Sequence, residues 1–291
     1  MDNPKFTDVD GYRTRYFEEG AGDPIVFLSG GEFGTLTAST GWALNFDDLK
    51  KDFHVVAVDK VGQGHTDNPK SLDDYVLETA VRHVHAFIGQ LGLGRVNLVG
   101  HSRGGYAATR IALDHPEIVR SLTIVDSGSI MHKSSPFYAE VWARSASIED
   151  PREKYTFEMR AAAFDPATVT EEWVDDVMTY VTSPKYDEAR RNNVLMRDQL
   201  EKDFWDRQAR LQEQVRAGGL KDLPVLLVWA YNDQGAPLAE CGIPAMDMIL
   251  PNVPRSSMHI VNQSGHYAQR EKAAEFNATL RHFLSSPPPR N

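Results

Sequence analysis

The sequence predicts an α/β domain: an open, doubly wound and mostly parallel sheet, with an all-helical cap inserted between two core strands. Three observations carry that expectation. Nearly continuous apolar runs of strand length recur along the chain, as in strands buried on both faces of a parallel sheet. Helix-patterned stretches separate them, and this alternation marks a doubly wound sheet. Between about Ser134 and Gly219 no strand-like run occurs.

Taken in order, "DGYRTRYFEEG" (10–20) reads as an antiparallel hairpin leading in. The strand candidates are "PIVFLSG" (24–30), "HVVAVDK" (54–60), "VNLVG" (96–100), "SLTIVDS" (121–127), "PVLLVWA" (224–230) and "SSMHIV" (256–261). In Asp74–Leu91 the apolar residues Val76, Ala80, Val84, Phe87, Ile88 and Leu91 recur at helical spacing. The helical interval holds "FYAEVWARSASIED", "TVTEEWVDDVMTYV" and "DEARRNNVLMRDQLEKDFWDRQARLQEQVRAG". It divides the chain into a core, 1–133 and 220–291, and a cap, 134–219; a pair of long connecting helices is the plainer alternative. The tail "SSPPPRN" reads as a frayed end.

Composition narrows the function classes. The 291 residues can bury a sizeable core, and 41% hydrophobic with 25% charged residues is ordinary for a globular chain. A net charge of −10 argues against nucleic-acid or anionic-membrane partners. Cys241 is the only cysteine, which excludes an intrachain disulfide and a cysteine-based zinc site. No signal-peptide pattern opens the chain and no apolar run approaches spanning length, so a cytoplasmic protein is expected. His83 and His85 lie two apart on a helix and face different sides, so they make no metal pair. No metal or cofactor is expected. The partner is a small molecule, and a homo-oligomer is compatible with the sequence.

The chemistry centres on "LVGHSRGGYAA" (98–108). Gly100-His101-Ser102-Arg103-Gly104 directly follows a strand and directly precedes a helix. A nucleophile on such a sharp turn needs small neighbours two residues away on each side, so that strand and helix can pass. The helix N-terminus behind it favours a developing oxyanion. Serine needs a base, and the base an orienting acid. His266 lies in the loop after "SSMHIV" and Asp233 in the loop after "PVLLVWA". Active-site groups of open α/β sheets collect at such carboxyl ends. The expected triad is Ser102, Asp233 and His266, with Asp126 as the rival acid.

For the oxyanion, the N–H groups of Gly31, in "LSGGEFG" (28–34), and of Arg103 are the candidates. The turn "DKVGQGHTD" (59–67) reads as structural. No dinucleotide fingerprint is present, because Gly92 and Gly94 precede a strand.

These motifs, with "WAYND" and "SGHYAQREKAAEF", make the chain resemble the α/β-hydrolase superfamily from Val26 to Leu284. Within it the chain is most similar to meta-cleavage-product hydrolases, which cut a carbon–carbon bond in 2-hydroxy-6-oxo-dienoates derived from ring-opened aromatics. The resemblance implies a serine hydrolase acting on such a vinylogous 1,5-diketone. The chain departs from the family pattern in several places. His101 and Arg103 stand where asparagine and methionine are common, and Tyr267 where tryptophan follows the histidine. Glu32 and Phe33 replace glycine and proline. The cap helix of the family carries a carboxylate-binding arginine, whereas "EEWVDDV" offers Asp175 and Asp176. Arg190, Arg191 or Arg197 on the next helix are the available substitutes.

Candidate substrate-binding residues are therefore Gly30, Glu32, His101, Trp142, Trp173, Arg190, Arg191 and Tyr267. Glu32 is expected to face solvent, with a second acid near the site as the alternative. His101 either touches the ligand or packs beneath the turn. Phe137, Tyr138, Trp142, Trp173 and Tyr180 are candidates for an apolar roof. Two competing functions stay open: a carboxylesterase or lactonase on the same triad, and a hydrolase-fold ligand receptor with little turnover.

Overall fold

The structure, a computed structural model, describes residues 1–131 and 135–285. The expected boundary at 133/134 and residues 286–291 of the tail lie outside the described residues. The chain opens with β1 (Lys5–Val9), β2 (Tyr12–Glu19) and β3 (Pro24–Leu28), then α1 (Ala43–Leu49), β4 (His54–Val58), α2 (Leu77–Gln90), β5 (Val96–His101), α3 (Arg103–Asp114) and β6 (Val119–Val125). Five helices follow without a strand: α4 (Phe137–Ser145), α5 (Pro151–Ala162), α6 (Glu171–Val181), α7 (Pro184–Leu195) and α8 (Arg197–Arg216). The core resumes with β7 (Val225–Ala230), α9 (Ile243–Ile249), β8 (Ser256–Val261), α10 (Ala268–Glu271) and α11 (Ala273–Ser285).

The eight strands form one sheet in the order β1-β2-β4-β3-β5-β6-β7-β8. The hairpin joins antiparallel, Tyr16 facing Val58, and every other pairing is parallel. All residues of β3, β5 and β7 are buried, which is why these strands read as unbroken apolar runs rather than alternating ones. β8, at the sheet edge, is only partly covered. The chain leaves β3 for β4 on one side, then returns to place β5 on the other side of β3. The carboxyl ends of β3 and β5 thus flank the point where strand order reverses, the usual ligand crevice of such sheets.

Three boundaries differ from the sequence reading. The hairpin is built from β1 and β2 with its turn at Asp10–Gly11, so 12–19, expected to hold both strands, is a single strand. α2 begins at Leu77 rather than Asp74, because Leu72–Asp74 form a separate 3-10 turn. The helical insertion is not all cap: Phe204, Leu211 and Val215 of α8 belong to the same apolar cluster as α3 and β7. Tyr155, Met159, Trp173, Val177, Tyr180 and Tyr186 of the inserted helices form a second apolar cluster together with Ala38 and Tyr267 of the core. No helix among the described residues is long and apolar enough to cross a membrane.

Candidate active site

Ser102 sits between β5 and α3 at φ 51°, ψ −122°, backbone space that residues with a side chain rarely enter. Two hydrogen bonds hold it there. Its N–H donates to the Val125 carbonyl at 2.8 Å, and the Ser127 hydroxyl donates to its carbonyl at 2.6 Å. A Cβ at Gly100 would overlap the Gly104 carbonyl oxygen, and one at Gly104 would overlap that of Leu28. The glycines are thus required by close backbone approach on both sides of the serine. Gly104→Ala is expected to cost about 3 kcal/mol, the upper range for overpacking against atoms that cannot move aside. A urea-unfolding midpoint matching wild type would show that strand and helix can separate.

The loop after β8 brings His266 to the loop after β7. His266 Nδ1 lies 2.7 Å from Asp233 Oδ2, with both side chains buried. The other Asp233 oxygen accepts from the N–H groups of Gly235 at 2.7 Å and Ala236 at 3.0 Å. The carboxylate therefore has a fixed orientation. The His266 N–H donates to the Ala162 carbonyl at 2.8 Å, seating the histidine under the end of α5. Among the described residues no hydrogen bond joins Ser102 Oγ to His266, a contact that is commonly long without substrate. Asp126, the rival acid, instead accepts from the Ala230 N–H at 2.6 Å. Burial, reinforced by the neighbouring Asp233 charge, pushes its carboxyl well above the usual carboxylate range. A neutral Asp126 cannot stabilise an imidazolium as Asp233 can.

Gly31 has φ +67°, and Gly30 lies against the nucleophile, where a Cβ would come 2.9 Å from that of Ser102. Among the described residues, no acceptor takes the N–H of Gly31 or of Arg103. Both donors stand ready at the nucleophile's end of the sheet.

The candidate ligand contacts take varied places, and Glu32 departs from its expected position in solvent. His101 is a buried support: its Nε2 donates to the His266 carbonyl at 2.7 Å, and the two rings lie 4.6 Å apart. Burial, with His266 and Lys60 nearby, holds it neutral, well below the ordinary histidine range. Glu32 does not face solvent; it forms an ion pair with Arg103, whose guanidinium also covers the Phe204 ring. Trp142 is exposed. Trp173 is buried edge-on against Tyr267, 5.0 Å between centroids, with Arg270 stacked on it at 3.9 Å. Arg190 is exposed and reaches the Tyr155 hydroxyl at 3.3 Å; Arg191 is exposed. Arg197 is exposed as well. α7 buries only Tyr186 and Ala189, which leaves Arg190 and Arg191 in water, while Arg197 stands at the start of α8 rather than on the same helix.

Four residues take places at or around the site that the sequence alone did not fix. Tyr138, one of five roof candidates, is the one that reaches His266, 5.8 Å between ring centroids. Asp176 of α6 accepts from the Thr40 hydroxyl at the cap–core seam, and burial raises its pKa. Lys60 and Gln63, from the turn read as structural, reach under the Gly30–Gly31 loop. Their only sequence signal is a lysine two residues after the buried run "HVVAV". Among the described residues, no three His, Cys, Asp or Glu side chains stand where they could share a metal ion.

The sequence profile of the α/β-hydrolase fold matches residues 23–273. The chain belongs to the α/β-hydrolase fold family. It is an enzyme of the hydrolase class, and its similarity within that family is to meta-cleavage-product hydrolases. It is 28% identical to the 2-hydroxymuconate semialdehyde hydrolase of Pseudomonas sp. (strain CF600), over 94% of this chain and 91% of that one. It is 27% identical to the 2-hydroxy-6-oxo-6-(2'-aminophenyl)hexa-2,4-dienoic acid hydrolase of Metapseudomonas resinovorans, over 97% and 90%. In architecture this α/β-hydrolase resembles the 2-hydroxy-6-oxo-6-phenylhexa-2,4-dienoate hydrolase of Rhodococcus sp. strain RHA1. There the TM-score is 0.79 at 18% identity, covering 98% of this chain and 99% of that one.

Proposed function

We propose that this α/β-hydrolase is a serine hydrolase that cleaves a carbon–carbon bond in a 2-hydroxy-6-oxo-dienoate-like vinylogous diketone. The observation that carries the reading is the buried 2.7 Å contact between His266 and Asp233 on the same sheet edge as the strained Ser102 turn. Relatives named for dienoate substrates over nearly their whole length support the substrate class. Helices α4 to α7 of the inserted segment serve as a cap, and Tyr138 brings an aromatic wall to His266.

The reaction follows from those groups. The dienol substrate tautomerises to a ketone with the triad assisting. His266 takes the Ser102 proton as Oγ attacks the distal carbonyl, and the resulting oxyanion is met by the N–H groups of Gly31 and Arg103. Collapse breaks the carbon–carbon bond, and the dienol leaves carrying the proton that His266 returns. Water, deprotonated by His266, then hydrolyses the acyl-serine. Asp233 holds the imidazole tautomer and stabilises its cation throughout.

One observation favours a second reading, a carboxylesterase or lactonase on the same triad. The cap offers a buried carboxyl at Asp176 in place of an arginine, while Arg103 is already neutralised by Glu32. A panel of 2-hydroxy-6-oxo-dienoates, p-nitrophenyl esters and aryl lactones separates the two. The first reading expects kcat/KM for a dienoate at least about tenfold above the best ester. Esters cleaved and dienoates spared would replace it with the second. Turnover of nothing above the Ser102→Ala background would remove both.

A further inference from the structure

The turn that carries the oxyanion donor has an unusual underside. Four successive carbonyls, from Ser29 to Glu32, accept from side chains. Lys60 Nζ donates to the Ser29 carbonyl at 2.5 Å and stands 3.5 Å from that of Gly31. Gln63 Nε2 donates to the Gly30 carbonyl at 2.7 Å and the Glu32 carbonyl at 3.3 Å. Thr37 and Thr35 add bonds to Gly30 at 2.6 Å and Glu32 at 2.9 Å. With its carbonyls tied down, the turn has the orientation of its peptides fixed.

Lys60 is the anomaly in this set. Its side chain is buried, yet among the described residues no carboxylate lies within ion-pair distance of Nζ. The nearest acid, Glu32, is occupied by Arg103. A purely structural donor could be neutral; burying an unpaired ammonium is costly. The counter-charge that is missing at rest appears during catalysis, when an oxyanion forms on the other side of the same turn.

We propose that Lys60 is a positioning residue of the proposed hydrolysis, whose ammonium holds the 29–32 turn with its N–H groups toward Ser102 and sets positive charge behind the oxyanion. This rests on the serine-hydrolase reading. Burial, with the Arg103 charge acting in the same direction, lowers the Lys60 pKa to about 7, opposed by Glu32. The other titratable groups around Lys60 and its turn are Asp59, which is paired with Arg15, His65, Tyr106, His101, His83 and Lys185, whose Nζ donates to the Gly64 carbonyl at 3.1 Å and which burial lowers to about 8. Burial places Tyr106 at about 12 and His83 at about 4, and holds His101 well below 6.5. The Arg103–Glu32 pair completes the surroundings. The supporting charge is therefore present at low pH and is lost as the pH rises through the Lys60 pKa, which adds an alkaline limb to the rate profile. A small cavity of about 10 Å³ beside Lys60, lined by Gly31, Gln63, Arg103 and Tyr106, has room for about one water to take up the amine's remaining donors.

The test compares wild type, Lys60→Met, Lys60→Arg and Lys60→Gln on whichever substrate of the panel turns over, from pH 5.5 to 9.5. Amide hydrogen exchange is followed across residues 29–35 in each protein. Lys60→Met is expected to lower kcat about thirtyfold with KM within about threefold, since the oxyanion is bound only in the transition state. It should also lose the alkaline limb and exchange its turn amides at least about tenfold faster. Lys60→Arg, still charged at high pH, should recover part of kcat with no alkaline limb. A folded Lys60→Met enzyme with kcat and pH profile within about twofold of wild type would overturn the proposal. If the methionine variant does not fold, Lys60→Gln decides: it keeps a donor without the charge, so a retained alkaline limb overturns the electrostatic role. Wild type no faster than Ser102→Ala would sink the serine-hydrolase reading instead, and the exchange data would still decide whether Lys60 holds the turn.

Discussion

Ser102→Ala is expected to lower kcat about a millionfold while leaving KM within a few-fold, the scale on which removal of a triad nucleophile acts. The hydroxyl supplies the bond that forms first, and no other nucleophile shares its turn. Alanine keeps the φ of 51° and the two backbone bonds that hold the turn, so the loss reflects chemistry rather than unfolding. Ser102→Gly separates the two further. Glycine adopts positive φ without penalty, so the variant should be about 1 kcal/mol more stable than wild type and equally inactive. Single-turnover kinetics together with urea melts read both quantities. An alanine variant retaining more than about one per cent of kcat would remove serine from the mechanism.

Asp233→Asn is expected to cost about 10⁴ in kcat, because an amide opposite Nδ1 favours the wrong tautomer and cannot stabilise the imidazolium. Asp126→Asn, at the rival position, should leave kcat within about threefold. Stability should move the other way. The Asp126 carboxyl is raised in the folded protein, so between its unfolded and folded pKa the unfolded chain binds fewer protons and stability falls as pH rises. Asparagine removes that dependence. The gain in Tm should be absent near pH 4, around the unfolded carboxyl's pKa, and grow toward pH 8. If Asp126→Asn instead abolishes activity, the acid has been misassigned despite the 2.7 Å contact to Asp233.

The parts of the site that lie next to one another in sequence were legible there. Gly100, Ser102 and Gly104 announce the sharp turn because a strand runs into them and a helix leaves them. Asp233 and His266 follow from the strand ends they occupy. His101 and Glu32 were harder, since a polar residue beside a nucleophile has the same local pattern whether it meets ligand, solvent or another side chain. Lys60 was missed because its role depends on a turn about thirty residues earlier in the sequence. The cap arginines could not be placed from the sequence because α7 is polar on nearly every face, which leaves its orientation to its neighbours.

The sequence by itself determined the α/β class, the alternation of strands and helices along the core, the helical insertion, and Ser102 and His266 of the proposed triad. Each of these is written in local periodicity or in short-range steric need. Only the tertiary structure decided which carboxylate meets His266, that Glu32 neutralises Arg103, that Tyr138 rather than Trp142 approaches the histidine, and that a lysine without a carboxylate partner lies beneath the oxyanion turn. Those outcomes are set by distances and burial between segments far apart in the chain, and no local pattern encodes them.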